Sequence, residues 1–290
     1  MKKLTFLLFC VLSTSLAWSQ YWPIQKGEKW GFIDSTGKEV VPPIYTEARP
    51  FSEGFAAVSV SREGEFTKWY YINDSFQMKI KFGFADALPF QEGLAPVKTY
   101  RGWNYVNTAG DLKIKGDYDS AMQFTGGYAR VKLNGYWALI DKEGRYIRNP
   151  NFTALTDYAE RHLGVLHKDG QYWQLTALSG DTLSQDTFAF LGNFVGGWAP
   201  AKQDNHYFYI NYQGKKTLDP YVEEAWPFYG KYASVKENGF WFLMDKQGRV
   251  YRDLQLKFPV NFNSYLTWVE LVNGRKGYMN REGEWVYRVG

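Results

Sequence analysis

Apolar positions along this chain come in short bursts of four or five residues, each opened by an aromatic and closed by Asp or Asn. Trp30-Gly31-Phe32-Ile33-Asp34 is the clearest burst, and Trp69-Tyr70-Tyr71-Ile72-Asn73, Trp103-Asn104-Tyr105-Val106-Asn107 and Trp137-Ala138-Leu139-Ile140-Asp141 repeat it. Later copies begin at Trp173, Tyr207, Trp241 and Lys276. Bursts this short, rich in aromatic and branched residues, predict β-strands, and no stretch holds a helical period convincingly. Asn151 to His167 comes nearest, but Phe152 and Tyr158 fall on repeat positions, so it reads as a divergent copy.

The segment after each burst is equally regular. Asp or Asn at Asp34, Asn73, Asn107, Asp141, Asn211, Asp245 and Asn280 is succeeded three residues later by Gly37, Phe76, Gly110, Gly144, Gly214, Gly248 and Gly283; the remaining copy has Ala177 and Gly180. An Asp or Asn side chain bonds its own backbone two residues on, and Gly accepts positive φ, so the pair predicts a tight hairpin turn with a bulge. A return strand comes next, then an aromatic anchor (Tyr45, Phe84, Tyr118, Phe152, Phe188, Tyr221), then a glycine-marked bend and a third strand such as Phe55-Ala56-Ala57-Val58. The turn positions recur every 34 to 39 residues. A period near 35 signals a repeat architecture whose units bury their apolar faces only by stacking.

The expected fold is therefore all-β: about eight three-stranded antiparallel repeats, spanning residues 29–60, 69–98, 103–132, 137–166, 173–202, 207–236, 241–270 and 276–290. We expect a propeller-like ring, the alternative being an open β-solenoid or superhelix. Residues 21–27 resemble a third strand, and in a ring they could complete the last sheet; a different unit boundary gives eight whole repeats instead.

The phrases Lys29-Trp30-Gly31-Phe32-Ile33-Asp34, Gly37-Lys38, Val40-Val41-Pro42-Pro43, Tyr45 and Phe51-Ser52-Glu53-Gly54-Phe55-Ala56-Ala57-Val58 resemble the WG-repeat (KWG) family. The resemblance is nearly complete in the first copy, strong in the second, third and sixth, and reduced to the aromatic and the turn in the fourth, fifth and seventh. It implies β-rich interaction modules of secreted bacterial proteins. It transfers no catalytic residue.

Composition adds the compartment. Lys2 and Lys3, the apolar run Leu4 to Leu12, and small residues at Ala17 and Ser19 predict a secretory signal peptide over 1–19, with cleavage near Ser19/Gln20. Cys10 lies inside the apolar run, which argues against a lipidated cysteine. Residues 20–290 then form one domain without cysteine, and the formal charge falls from +4 to +2 with Lys2 and Lys3 removed. Near-balanced charge gives no case for nucleic acid, and no later apolar run approaches the roughly 20 residues of a spanning helix. The expectation is a monomer in the periplasm, at the cell surface or outside. No transmembrane segment, metal or cofactor is expected.

Chemistry is sparse. His162, His167 and His206 lack metal-ligand company, and neither a nucleophile elbow nor a phosphate loop is present. Glu53 and Glu92 recur with the repeat, which suggests a role bonding loop amides; Glu160, Glu223, Glu224 and Glu270 remain as candidates for a hydrolytic pair, with Glu223-Glu224 reading as an insertion. The lead tryptophans are periodic and predict core. The non-periodic aromatics Trp22, Trp198, Trp226, Tyr229 and Trp268 are the candidate binding residues, for stacking on sugars or gripping peptides. The expected function is a non-enzymatic scaffold that binds an envelope or extracellular protein or a polysaccharide. A glycan hydrolase and a purely structural envelope part are the alternatives.

Overall fold

The computed structural model describes residues 21–61, 66–167 and 169–289; the segment 1–19 expected to be a signal peptide, with its expected cleavage site, lies outside them. The described residues form a β-propeller of seven small antiparallel sheets and contain no helix. The first sheet is β1 (Tyr21–Lys26), β2 (Lys29–Asp34) and β3 (Glu39–Tyr45). The second runs β4 (Glu47–Ala48), β5 (Phe55–Val60), β6 (Lys68–Asn73) and β7 (Met78–Phe84), and the third β8 (Asp86–Ala87), β9 (Leu94–Lys98), β10 (Trp103–Asn107) and β11 (Leu112–Tyr118).

Eight copies occupy seven sheets because the fourth and fifth are fused. Strand Tyr146–Leu155 runs ten residues, pairing with Tyr136–Asp141 at one end and with His162–His167 at the other, so one six-stranded sheet serves both. At four other junctions, as between β3 and β4 or β7 and β8, the same strand is interrupted and passes from one sheet to the next within two residues.

The N-terminal strand corrects one expectation. β1 pairs with β2 along its whole length, from Tyr21 opposite Asp34 to Lys26 opposite Lys29. It completes the first sheet, not the last, as β5 pairs with β6 and β9 with β10. The third strand of each sequence unit thus belongs to the following sheet. The ring closes by packing instead. Trp22, Ile24 and Ile33 of the first sheet share a buried cluster with Leu266 and Tyr278 of the last, and the Tyr278 hydroxyl donates to the Pro23 carbonyl. An open superhelix would leave those faces apart.

The turns fold as the sequence predicts. Asp34 Oδ1 accepts from the amides of Thr36 (2.9 Å) and Lys38 (3.1 Å), and Asn107, Asp141, Asn211, Asp245 and Asn280 repeat the arrangement. Turn glycines have positive φ and sit against the preceding return strand: Gly110 on Ile80, Gly144 on Ile114, Gly248 on Leu218. Gly37 sits on Tyr287 of the last strand, a second sign of closure. Phe76, the exception, holds φ near 59° and packs on Tyr21, Phe32 and Phe51.

The core differs from the expectation. Of the lead aromatics only Trp69 is fully buried; Trp30, Trp103, Trp137, Trp173, Tyr207 and Trp241 are half-buried. The position two residues later is fully buried in these copies, at Phe32, Tyr71, Tyr105, Leu139, Leu175, Tyr209 and Leu243. Lead residues sit beside the hairpin at a sheet end, while the second residue on faces the adjacent sheet at mid-strand. Anchor Tyr221 is also corrected: Val222 pairs with Tyr207 and is buried, and Tyr221 is pushed out by a bulge at φ near 55°. Glu224 then occupies the place of Glu47, ten residues after the turn glycine in both copies, so Glu223-Glu224 is not an insertion and Tyr221 stands where the first copy has Ile44.

Candidate binding site

Three buried tyrosines tie each mid-strand core position to the following repeat. The hydroxyls of Tyr71, Tyr105 and Tyr209 donate to the carbonyls of Leu88 (2.6 Å), Met122 (2.7 Å) and Trp226 (2.8 Å). Each acceptor residue also donates its amide to the third strand: Leu88 to Pro96, Met122 to Arg130, Trp226 to Ser234. Thr156 and Gly192 bond Gly164 and Pro200 in the same way. These bonds place Leu88, Met122, Thr156, Gly192 and Trp226 at one equivalent position, with Pro89, Gln123, Asp157, Asn193 and Pro227 next in the chain.

Equivalent residues of successive repeats converge on a cavity of about 450 Å³. Thr156, Asn193, Trp226 and Asn261 line it from four repeats, and Arg130 enters from a fifth. Trp173, Phe190, Tyr207 and Tyr229 supply aromatic wall, with Glu224 beside Tyr207. The polar side is braced. Arg130 Nε donates to Asp157 Oδ1 (2.7 Å), and its Nη1 donates to the Leu155 carbonyl (2.6 Å). Asn193 Nδ2 donates to the other carboxylate oxygen of Asp157, while Asn193 Oδ1 accepts from the Asp157 amide (2.8 Å). Burial, and then the Asp157 charge, raise the Tyr229 hydroxyl above its ordinary range; burial and then Glu224 do the same for Tyr207. Both therefore stay neutral, as donors and acceptors.

Of the aromatics singled out from the sequence, Trp226 and Tyr229 line this cavity. The other three do not, and each has a packing role. Trp22 is 2 % exposed in the closure seam, which corrects its placement on a binding surface. Trp198 is half-buried against Tyr209 and Phe228, with Lys246 over its ring at 5.7 Å. Trp268 meets Tyr278 edge-on at 5.3 Å. Arg130, Asp157, Asn193 and Asn261 escaped sequence reading. Their signal was disagreement: three copies carry Pro at the position after the tyrosine-bonded residue (Pro50, Pro89, Pro227), four carry Gln123, Asp157, Asn193 and Asn261.

The repeat carboxylates do what their recurrence suggests. Glu53 accepts from the amides of Glu92 (2.6 Å) and Gly93 (2.8 Å), and Glu92 accepts from Gly127 (2.9 Å) and pairs with Lys142 (3.1 Å). They clasp one repeat to the next. Among the described residues no group of three or more His, Cys, Asp or Glu is placed to hold a metal.

Known proteins share this architecture. At the level of fold the chain is similar to a eukaryotic initiation factor (TM-score 0.57, 13% identity, covering 94% of this chain and 84% of that one). It is also similar to the dihydro-heme d1 dehydrogenase NirN in its complex with DHE (TM-score 0.50, 13% identity), covering 80% of this chain and 63% of that protein. A third structure, BamB from Moraxella catarrhalis, aligns with TM-score 0.49 and 10% identity over 87% of this chain and 94% of that one. At such identities the likeness concerns the fold alone. No curated protein matches the sequence. The family profile described as "WG containing repeat" matches residues 30–61, 69–103, 103–137 and 207–241, and the chain belongs to this WG-repeat family.

Proposed function

We propose that the protein is a non-catalytic binding scaffold, working outside the cytoplasm, whose central cavity takes a short stretch or the end of a polysaccharide. The observation that carries this reading is the convergence of five repeats on one cavity with aromatic walls and fixed polar groups. Sugar rings present apolar C–H faces to aromatics and hydroxyls to amides and charges. Trp173, Trp226 and Tyr229 offer the first kind of surface, and Asn193, Asn261, Arg130 and Glu224 the second. The volume lies within the range of about 300–1,000 Å³ typical of small-ligand sites. Placement outside the cytoplasm rests on the signal-like pattern of the first 19 residues.

Asp157 argues against hydrolysis. Both of its oxygens are bound, one by Arg130 and one by Asn193, which leaves neither free to attack a sugar or a water. A glycan array probed with the chain, then calorimetric titration of the best oligosaccharide, tests the proposal. Trp226→Ala is expected to weaken that titration at least ten-fold while the far-UV thermal transition stays within a few degrees of wild type. Undiminished affinity in this variant, or release of reducing ends from the oligosaccharide, overturns the reading.

A further inference from the structure

The second and third sheets carry a surface that the repeat does not explain. Between them lies a groove of about 850 Å³, floored by Phe82, Gly83 and Phe84 of β7 and Leu112 of β11. Phe66 and Tyr100 stand over it from neighbouring hairpins. These rings are not core: Phe66 is 93 % exposed, Tyr100 91 % and Phe82 72 %. Large aromatics left this open in one place mark interaction surfaces in soluble proteins. Their hairpins are also atypical. The connections at Asn134-Gly135 and Asn238-Gly239 are two-residue turns, whereas those before Lys68 and Trp103 are longer and bear the exposed rings.

Charge identifies the occupant. Lys68, Lys98 and Lys115 line the groove, with Asp111 the single acid among its described lining residues, and Arg101 lies beside Tyr100 at 5.5 Å. None of these lysines joins an ion pair among the described residues. β7 and β11 are the last strands of their sheets, so their outer backbone edges are open to a further strand. Both read Lys-Ile-Lys, at Lys79-Ile80-Lys81 and Lys113-Ile114-Lys115, with Ile inward and both lysines exposed. Lysine on an open edge repels a like edge, which disfavours a second copy of this chain and admits an acidic strand. The concave, strand-edged shape suits a chain better than a flat bilayer.

We propose that this groove docks an extended, acidic polypeptide segment of another protein, its apolar side chains set among Phe66, Phe82 and Tyr100 and its carboxylates against Lys68, Lys98 and Lys115. Strand addition of this kind takes affinity from main-chain bonds and specificity from alternate side-chain pockets.

Selection of a random ten-residue peptide display library on the full chain tests it. Selected peptides are expected to alternate Asp or Glu with apolar residues. Their affinity should fall at least ten-fold in Phe82→Ala/Tyr100→Ala, whose residues are exposed and can be truncated without harm to folding, and in Lys98→Glu/Lys115→Glu. It should also fall steeply between low salt and 0.5 M salt, about three-fold or more, because exposed charge pairs are screened. Binding should persist in Trp226→Ala, which separates this site from the central cavity. Peptides without acidic enrichment, or peptides indifferent to both double variants, overturn the proposal. So does sedimentation with phosphatidylglycerol vesicles, or capture of polygalacturonate, that is lost in Phe82→Ala/Tyr100→Ala while acidic peptides fail to bind.

Discussion

Single side chains divide sharply between those that fold the protein and those left for recognition. Tyr105 shows the first kind. It is fully buried, and its hydroxyl satisfies the Met122 carbonyl; burial pushes its ionisation well above the ordinary range. Tyr105→Phe leaves that carbonyl without its partner and is expected to cost about 1–3 kcal/mol in urea denaturation. Tyr105→Ala adds a cavity and should cost about 3–5 kcal/mol. Trp103, two residues earlier and half-buried, should lose clearly less on truncation to Ala, although its sequence periodicity is just as strict. Equal losses at the two positions would contradict the burial pattern. Trp226 shows the division within one residue: its carbonyl is held by Tyr209, and its ring faces the cavity.

At the scale of the hairpin, conformation and contact can be separated. Gly54 and Gly144 both have φ near 80°, but a Cβ on Gly54 meets nothing within 4 Å while one on Gly144 lies 2.9 Å from Ile114. Gly54→Ala should therefore cost about 1 kcal/mol, the strain of a left-handed alanine. Gly144→Ala should cost appreciably more, since the neighbouring sheet must shift, and thermal denaturation compares the two. The turn acids give a pH signature. Burial alone would raise Asp245, but amide bonds from Arg249 and Gln247 and the Tyr251 hydroxyl outweigh it and hold it below 3.8. A depressed folded pKa contributes stability that is present above the unfolded value and lost as pH falls through the folded one. Stability should therefore decline below about pH 4, and Asp245→Asn, weaker at neutral pH, should decline less steeply in a pH series of urea midpoints.

Across the whole molecule, most neighbouring sheets share a bent or continuous strand, but the first and last meet only through side chains. Trp22, Ile24, Leu266 and Tyr278 form that seam, with the Tyr278 hydroxyl on Pro23. The Tyr278 hydroxyl gives the Pro23 carbonyl the partner that the Leu88 amide gives the equivalent Pro96 carbonyl. Trp22→Ala should cost about 3–5 kcal/mol, and hydrogen exchange should show the first and last sheets losing protection together ahead of the middle ones. Loss spread evenly over all sheets would mean that closure is no weaker than any other junction.

How much of this was written in the sequence depends on the range of each interaction. Asp or Asn with Gly three residues on acts over four residues, and every such turn with a described Asx-to-amide bond folded as its local chemistry dictates. Repeat length, strand character and the clasping role of Glu53 and Glu92 were legible because each recurs. Burial within the strand was not. Lead and second-next residues alternate onto the same face, so periodicity alone cannot say which lies at the sheet end and which between sheets; Trp103 and Tyr105 were told apart only by the neighbouring sheet. The pairing of β1 with β2, and of Tyr278 with Pro23 across 255 positions, required the ring to exist. The cavity is of the same kind. Arg130, Asp157, Asn193 and Trp226 lie at positions where the copies disagree, and that disagreement was visible in the sequence. Only closure of the ring brought them to one place, because side chains about 35 residues apart become neighbours when each repeat turns by a fixed angle about a common axis.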